Sequence, residues 1–215
     1  ASMLRLLGFT GVQLVLDAGG RAMNEQLAEF ASKADGADFA LIYYSGHGIE
    51  VDGRNFLIPI DAKLAAAADV DFEAIPLDLV VSAIDRAEGM KLVILDACRN
   101  NPFRARMIQR LARRSVGRGL APVAPSAGML VAYSAKAGTE ADDGPAGGNS
   151  PFTAALLKFI DQPHVDIRIM FGKVRDEVVR STQRRQEPFI YGSLGGNEVY
   201  INSKGLSEAP PTKRL

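Results

Sequence analysis

Apolar positions along the chain follow two rhythms. Predominantly apolar runs at residues 12–17, 38–45, 90–97 and 129–134 have the length and apolar content of buried strands. Other stretches carry apolar residues at three- and four-residue spacing. Residues 21–34 place Met23, Leu27, Phe30 and Ala31 on one helical face, and residues 76–88 open on Pro76 and stop before Gly89, a favourable start and stop pair. Residues 151–160 and 166–182 complete the helices. Strands that alternate with helices predict an α/β domain whose largely parallel sheet is covered on both faces.

Two connections break this alternation, 104–125 and 136–149, and each directly follows a predicted strand. Long irregular connections in a compact domain tend to carry function. From residue 203 onward the chain reads as a polar tail or linker ending in SEAPPTKRL.

Composition narrows the classes. With 215 residues and 47% hydrophobic content, the chain can bury one substantial core. Lys and Arg number 25 and so do Asp and Glu, so the net charge is zero, and neither nucleic acid nor a membrane surface is expected as a partner. One cysteine excludes an internal disulfide framework, and two histidines without a CxxC pattern leave no zinc-type ligand cluster. No apolar run approaches the roughly 18 residues that span a bilayer.

The informative feature is where the strands end. FALIYYSGHG (39–48) runs into His47, and KLVILDACRNNPF (91–103) runs into Cys98, 51 positions downstream. If both strands lie parallel in one sheet, both side chains emerge at its carboxyl edge, where open α/β folds keep their chemistry. A thiol becomes a strong nucleophile at neutral pH when an imidazole takes its proton or stabilises the thiolate. A lone cysteine is usually a small buried hydrophobe. Its place after the strand, opposite a histidine at a matching strand end, reverses that reading. His164, between two helices, keeps the ordinary one.

YSGHG and DACRNNPF together resemble the prokaryotic branch of the caspase-like cysteine peptidases, the orthocaspases, related to metacaspases and paracaspases. Asn55-Phe56-Leu57-Ile58-Pro59 with Asp61 resembles the hairpin after the histidine, Tyr133-Ser134-Ala135 a later core strand, and Ser150-Pro151-Phe152-Thr153 the start of the next helix. The resemblance covers residues 3–202 and implies a caspase-like three-layer sandwich with a mostly parallel central sheet. It also implies an apolar first strand beside the histidine strand. This chain opens at SMLRLLGF, inside the helix that follows that strand in the family, so the domain is expected to be amino-terminally incomplete or completed by a separate segment.

The resemblance assigns the oxyanion donors to the backbone N–H groups of Cys98 and Gly48, and proton transfer to His47. It also orients specificity. Asp96, two residues before the cysteine, stands where metacaspase-like proteins carry a pocket aspartate, and Asp143 in the loop YSAKAGTEADDGP falls near the place of a caspase pocket arginine. Ser45 and Ala141 complete the candidate substrate-binding set, whereas Glu140 and Asp142 read as solvated loop charges. A carboxylate-lined pocket suits Arg or Lys at the cleaved bond.

The segment FRARMIQRLARRSVGRGL carries Arg104, Arg106, Arg110, Arg113, Arg114 and Arg118 and no acid. It reads as a solvated basic face, or, as the family's intersubunit linker, a place of self-cleavage. The implied function is therefore an endopeptidase acting on protein or peptide substrates. The alternative is an inactive caspase-fold adaptor whose basic segment binds a partner. A flavodoxin-like or nucleotide-binding domain lacks its phosphate-binding glycine loop. No obligatory metal is expected. Asp69, Asp71 and Asp78 offer oxygen atoms for calcium activation, but without EF-hand-like spacing.

Overall fold

A computed structural model describes residues 1–98, 120–136 and 141–203. Its centre is one six-stranded sheet in the order β3-β2-β1-β4-β5-β6, formed by β1 (Phe39–Val51), β2 (Arg54–Ile58), β3 (Ile75–Pro76), β4 (Met90–Cys98), β5 (Met129–Tyr133) and β6 (Phe189–Gly192). The helices are α1 (Ser2–Leu6), α2 (Gly20–Ala34), α3 (Val70–Glu73), α4 (Leu77–Ile84), α5 (Pro151–Phe159) and α6 (Ile167–Ser181).

Side-chain alternation along β4 builds two cores from one strand. Val93, Leu95 and Ala97 join α4 and the apolar face of α2, with Met23, Leu27 and Phe30 packed against them. Leu92 and Ile94 join Phe152, Ala155 and Leu156 of α5 and Met170, Phe171, Val174 and Val178 of α6. The helices thus cover both faces, which is why β4 and β5 are apolar at nearly every position.

The sheet is more mixed than the sequence predicts. β1–β4 and β4–β5 are parallel, whereas β1–β2, β2–β3 and β5–β6 are antiparallel. The cause at β1 is local: Asp52 and Gly53 both adopt positive φ (51° and 79°), the two-residue turn whose twist suits a hairpin and for which Asp-Gly is a preferred pair. β1 therefore continues past His47 to Val51 and folds straight back as β2.

That hairpin accompanies only the far end of β1. The register of β1 with β2 runs from His47 to Val51, while that with β4 runs from Phe39 to His47. Along Phe39–Gly46 no strand among the described residues pairs with the other edge of β1. Residues 12–17, expected as a strand, are irregular, with Leu14, Val15 and Leu16 between 46% and 72% exposed. An apolar run becomes a strand only where a neighbour takes up its backbone groups, and this one has no such neighbour among the described residues.

Candidate active site

β1 and β4 bring the two singled-out residues together through backbone register alone. His47 and Cys98 are direct partners across the parallel ladder, as are Ser45 and Asp96 two positions earlier. Neighbouring strands lie about 4.8 Å apart. Position 98 has the parity of Leu92, Ile94 and Asp96, and His47 that of Tyr43 and Ser45.

His47 is exposed, and its imidazole makes no hydrogen bond among the described residues. It is held through its backbone instead. Tyr44, on the opposite face of β1, directs its hydroxyl at the carbonyl oxygens of His47 (2.8 Å) and Ile58 (3.1 Å), tying the histidine to the hairpin strand. Desolvation pushes the Tyr44 phenol up to about 12, so it remains a donor throughout the neutral range.

At Gly48 a neighbour fills the space that a side chain would take. A β-carbon there would meet Leu120 at 2.9 Å, so the space over Gly48 belongs to that buried leucine rather than to an approaching substrate. Residues 120–125, assigned from the sequence to the linker, begin packed on the domain. Asn55 fixes them with a pair of hydrogen bonds, Nδ2 to the Ala121 carbonyl (2.7 Å) and Oδ1 from the Ala121 amide (2.6 Å).

Beside the ends of β1 and β4 lies a polar cavity of about 200 Å³ lined by Tyr43, Ser45, Asp96, Asp143, Ser150 and Thr153, with Gly148 and Asn149. Asp96 is 7% exposed. Burying a carboxylate is costly unless donors meet it, and three hydroxyls do so: Ser150 at 2.5 Å, Thr153 at 2.6 Å and Tyr43 at 3.3 Å. Ser150 also caps α5 by accepting from the Thr153 amide at 2.9 Å. Desolvation first, and then the Asp96 charge, raise Tyr43 above the ordinary phenol value.

Asp143 reaches the same cavity from the loop after β5. It is exposed and makes no hydrogen bond or ion pair among the described residues. Its neighbour Asp142 is occupied elsewhere, accepting from the Gly144 amide and lying 3.9 Å from Arg185. Gln186 anchors this loop, since its buried amide donates to the Ser134 carbonyl (2.8 Å) and accepts from the Asp142 amide (3.1 Å). Ala141 is buried and is not one of the cavity-lining residues.

Glu140 and the arginines at 104, 106, 110, 113, 114 and 118 lie outside the described residues. Among the described residues, no group of three or more His, Cys, Asp or Glu side chains is arranged to hold a metal ion. Asp69 accepts from the Ala66 amide and Asp71 meets Arg54 at 3.4 Å, so both carboxylates have local partners. No described helix is long and apolar enough to cross a membrane.

Sequence reasoning missed Tyr43, Tyr44, Thr153 and Gln186. Tyr43 had a readable signal: it shares strand parity with Ser45 and His47. Gln186 had none, because a glutamine before a short edge strand is unremarkable until its burial is seen.

Comparison with known proteins follows this geometry. Residues 1–197 match the family model of the caspase domain. Over 99 residues, 46% of its length, the chain is 30% identical to mucosa-associated lymphoid tissue lymphoma translocation protein 1 from Homo sapiens, and equally to its Mus musculus homolog. It spans only 12% and 11% of those two proteins. The crystal structure of caspase-1 from Spodoptera frugiperda superposes with a TM-score of 0.63 at 17% identity, covering 94% of this chain and 78% of that one, a likeness of fold. With the match extending from the first residue through β6, the chain belongs to the caspase domain family of cysteine peptidases and their relatives.

Proposed function

We propose that the protein is a cysteine endopeptidase that hydrolyses peptide bonds after Arg or Lys. The observation that carries this reading is the cavity holding both Asp96 and Asp143, with Asp96 two register positions from the His47–Cys98 pair. Two carboxylates without a cationic partner among the described residues suit a basic side chain and would repel an acidic one.

In this mechanism the Cys98 thiolate attacks the carbonyl carbon of the bond after the basic residue. The resulting oxyanion takes hydrogen bonds from backbone N–H groups, assigned by resemblance to Cys98 and Gly48. His47, protonated, gives its proton to the departing amine, leaving a thioester on Cys98. Water, losing a proton to the now neutral His47, then attacks the thioester and frees the enzyme. The arginines between 104 and 118 would offer the same pocket its own chain, so cleavage there would divide the protein into two pieces. The paired hydrogen bonds from Asn55 to Ala121 support retention of the second piece.

Turnover of Arg-, Lys- and Asp-terminated fluorogenic peptides tests the reading. Arg and Lys peptides should be cleaved, and Asp143→Ala should lower kcat/KM for Arg tenfold or more, in line with about 1.5–3 kcal/mol for a hydrogen bond to a charged group. Preference for Asp, or Arg turnover indifferent to both Asp96 and Asp143, would sink it. The alternative of a caspase-fold adaptor draws on the edge of β1 over Phe39–Gly46, where no strand among the described residues pairs with it. Turnover abolished by Cys98→Ala would exclude it.

A further inference from the structure

Every hydroxyl that meets Asp96 goes to the same oxygen. Ser150 Oγ, Thr153 Oγ1 and Tyr43 Oη all approach Oδ2, and Oδ1 accepts nothing among the described residues. The protons can be followed one by one. Ser150 accepts from the Thr153 amide and so turns its own proton to Asp96. Thr153 gives its proton to Asp96 at 2.6 Å, so in its 2.6 Å contact with Tyr43 the threonine oxygen is the acceptor. The single Tyr43 proton is therefore shared between Thr153 and the longer 3.3 Å contact with Oδ2.

We propose that Tyr43, Ser150 and Thr153 form a hydroxyl cradle that locks Asp96 with one oxygen committed to the protein and the other left for substrate. The positively charged side chain is then bound by one oxygen of Asp96 together with Asp143, rather than by a two-pronged fork onto Asp96. The inference rests on reading this cavity as the pocket for the residue before the cleaved bond. It identifies three positioning residues, and it sharpens the expected selectivity. A guanidinium gains no bidentate pair on Asp96, so Lys should be accepted at only a modest disadvantage to Arg.

Thr153 is the residue to test, because its cap contact uses the backbone amide, whereas Ser150 serves cap and cradle with one oxygen. Kinetics of the full chain on Arg- and Lys-terminated peptides should show Thr153→Val raising KM about tenfold with little change in kcat. That is the effect of losing roughly one charge-assisted hydrogen bond. Thr153→Ser should return KM to within about twofold of wild type, and Tyr43→Phe should give a smaller rise of about threefold. Alkylation of Cys98 by iodoacetamide should keep its rate in all three.

A readout without turnover uses benzamidine binding to Cys98→Ala, weakened about tenfold by adding Thr153→Val and restored by Thr153→Ser. If wild type cleaves after Arg but Thr153→Val leaves KM and benzamidine affinity unchanged, or Thr153→Ser fails to restore them, the cradle is refuted alone. If wild type prefers Asp peptides, or Cys98→Ala binds no benzamidine, the pocket assignment falls and takes the cradle with it.

Discussion

His47 lies inside β1 and Asp96 near the end of the neighbouring β4, and the two are held in opposite ways. Asp96 is nearly buried, with three hydroxyls on one oxygen. His47 is exposed, its imidazole without a hydrogen bond among the described residues and its carbonyl tied down by Tyr44. The contrast matches two tasks. A charge that recognises substrate works best when fixed before substrate arrives, whereas a group that carries a proton from the thiol to a leaving amine, and later takes one from water, must address several partners in turn.

The largest effect should come from removing the nucleophile. Cys98→Ala should lower turnover by about 10⁴-fold or more, and His47→Ala by about 10²–10⁴-fold, with circular dichroism unchanged in both. His47→Ala should also slow alkylation of Cys98. Alkylation at an unchanged rate would mean that the imidazole does not activate the thiol, and the contrast between an exposed catalytic group and a fixed recognition group would lose one side.

Most of the frame could be read in the sequence, for a physical reason. β4 and β5 are buried on both faces, so their composition announces them, and α2, α5 and α6 carry the helical stripe that packs on the sheet. The 12–17 run misled because apolar content alone does not supply a strand partner. β6 was missed because it is four residues long and half exposed. At the site, Asp96 and Cys98 were legible at the end of β4, whereas His47, read as a strand end, lies inside β1, which runs on to Val51. The Asp96 cradle was not: Thr153 lies 57 positions away, and only the fold brings the start of α5 over β4. Leu120 over Gly48 is a second such contact, invisible until the sheet is assembled.

A sharper probe of the His47 side is Tyr44→Phe, which removes one hydroxyl and leaves the ring in place. Two carbonyls lose a shared donor, so stability should fall by about 1–2 kcal/mol, and kcat several-fold as His47 gains freedom, with KM little affected. The same drop in stability with kcat unchanged would show that holding the His47 carbonyl does not orient the ring.

The smallest effect is silent at neutral pH and uses the same phenol. In the folded protein Tyr44 titrates near 12, against about 10 in an unfolded chain. A raised value means that the folded state keeps the proton longer, so the contribution is complete below pH 10 and is lost as pH climbs from 10 toward 12. Wild type should therefore lose about 1 kcal/mol by pH 11 that Tyr44→Phe, having no proton to lose there, keeps. Urea unfolding of both proteins from pH 8 to 11 should show their stability gap closing above pH 10. A gap that stays constant through pH 11 would mean that burial does not hold the Tyr44 phenol in its protonated form, and that the brace behind His47 is more open to water than the pocket around Asp96.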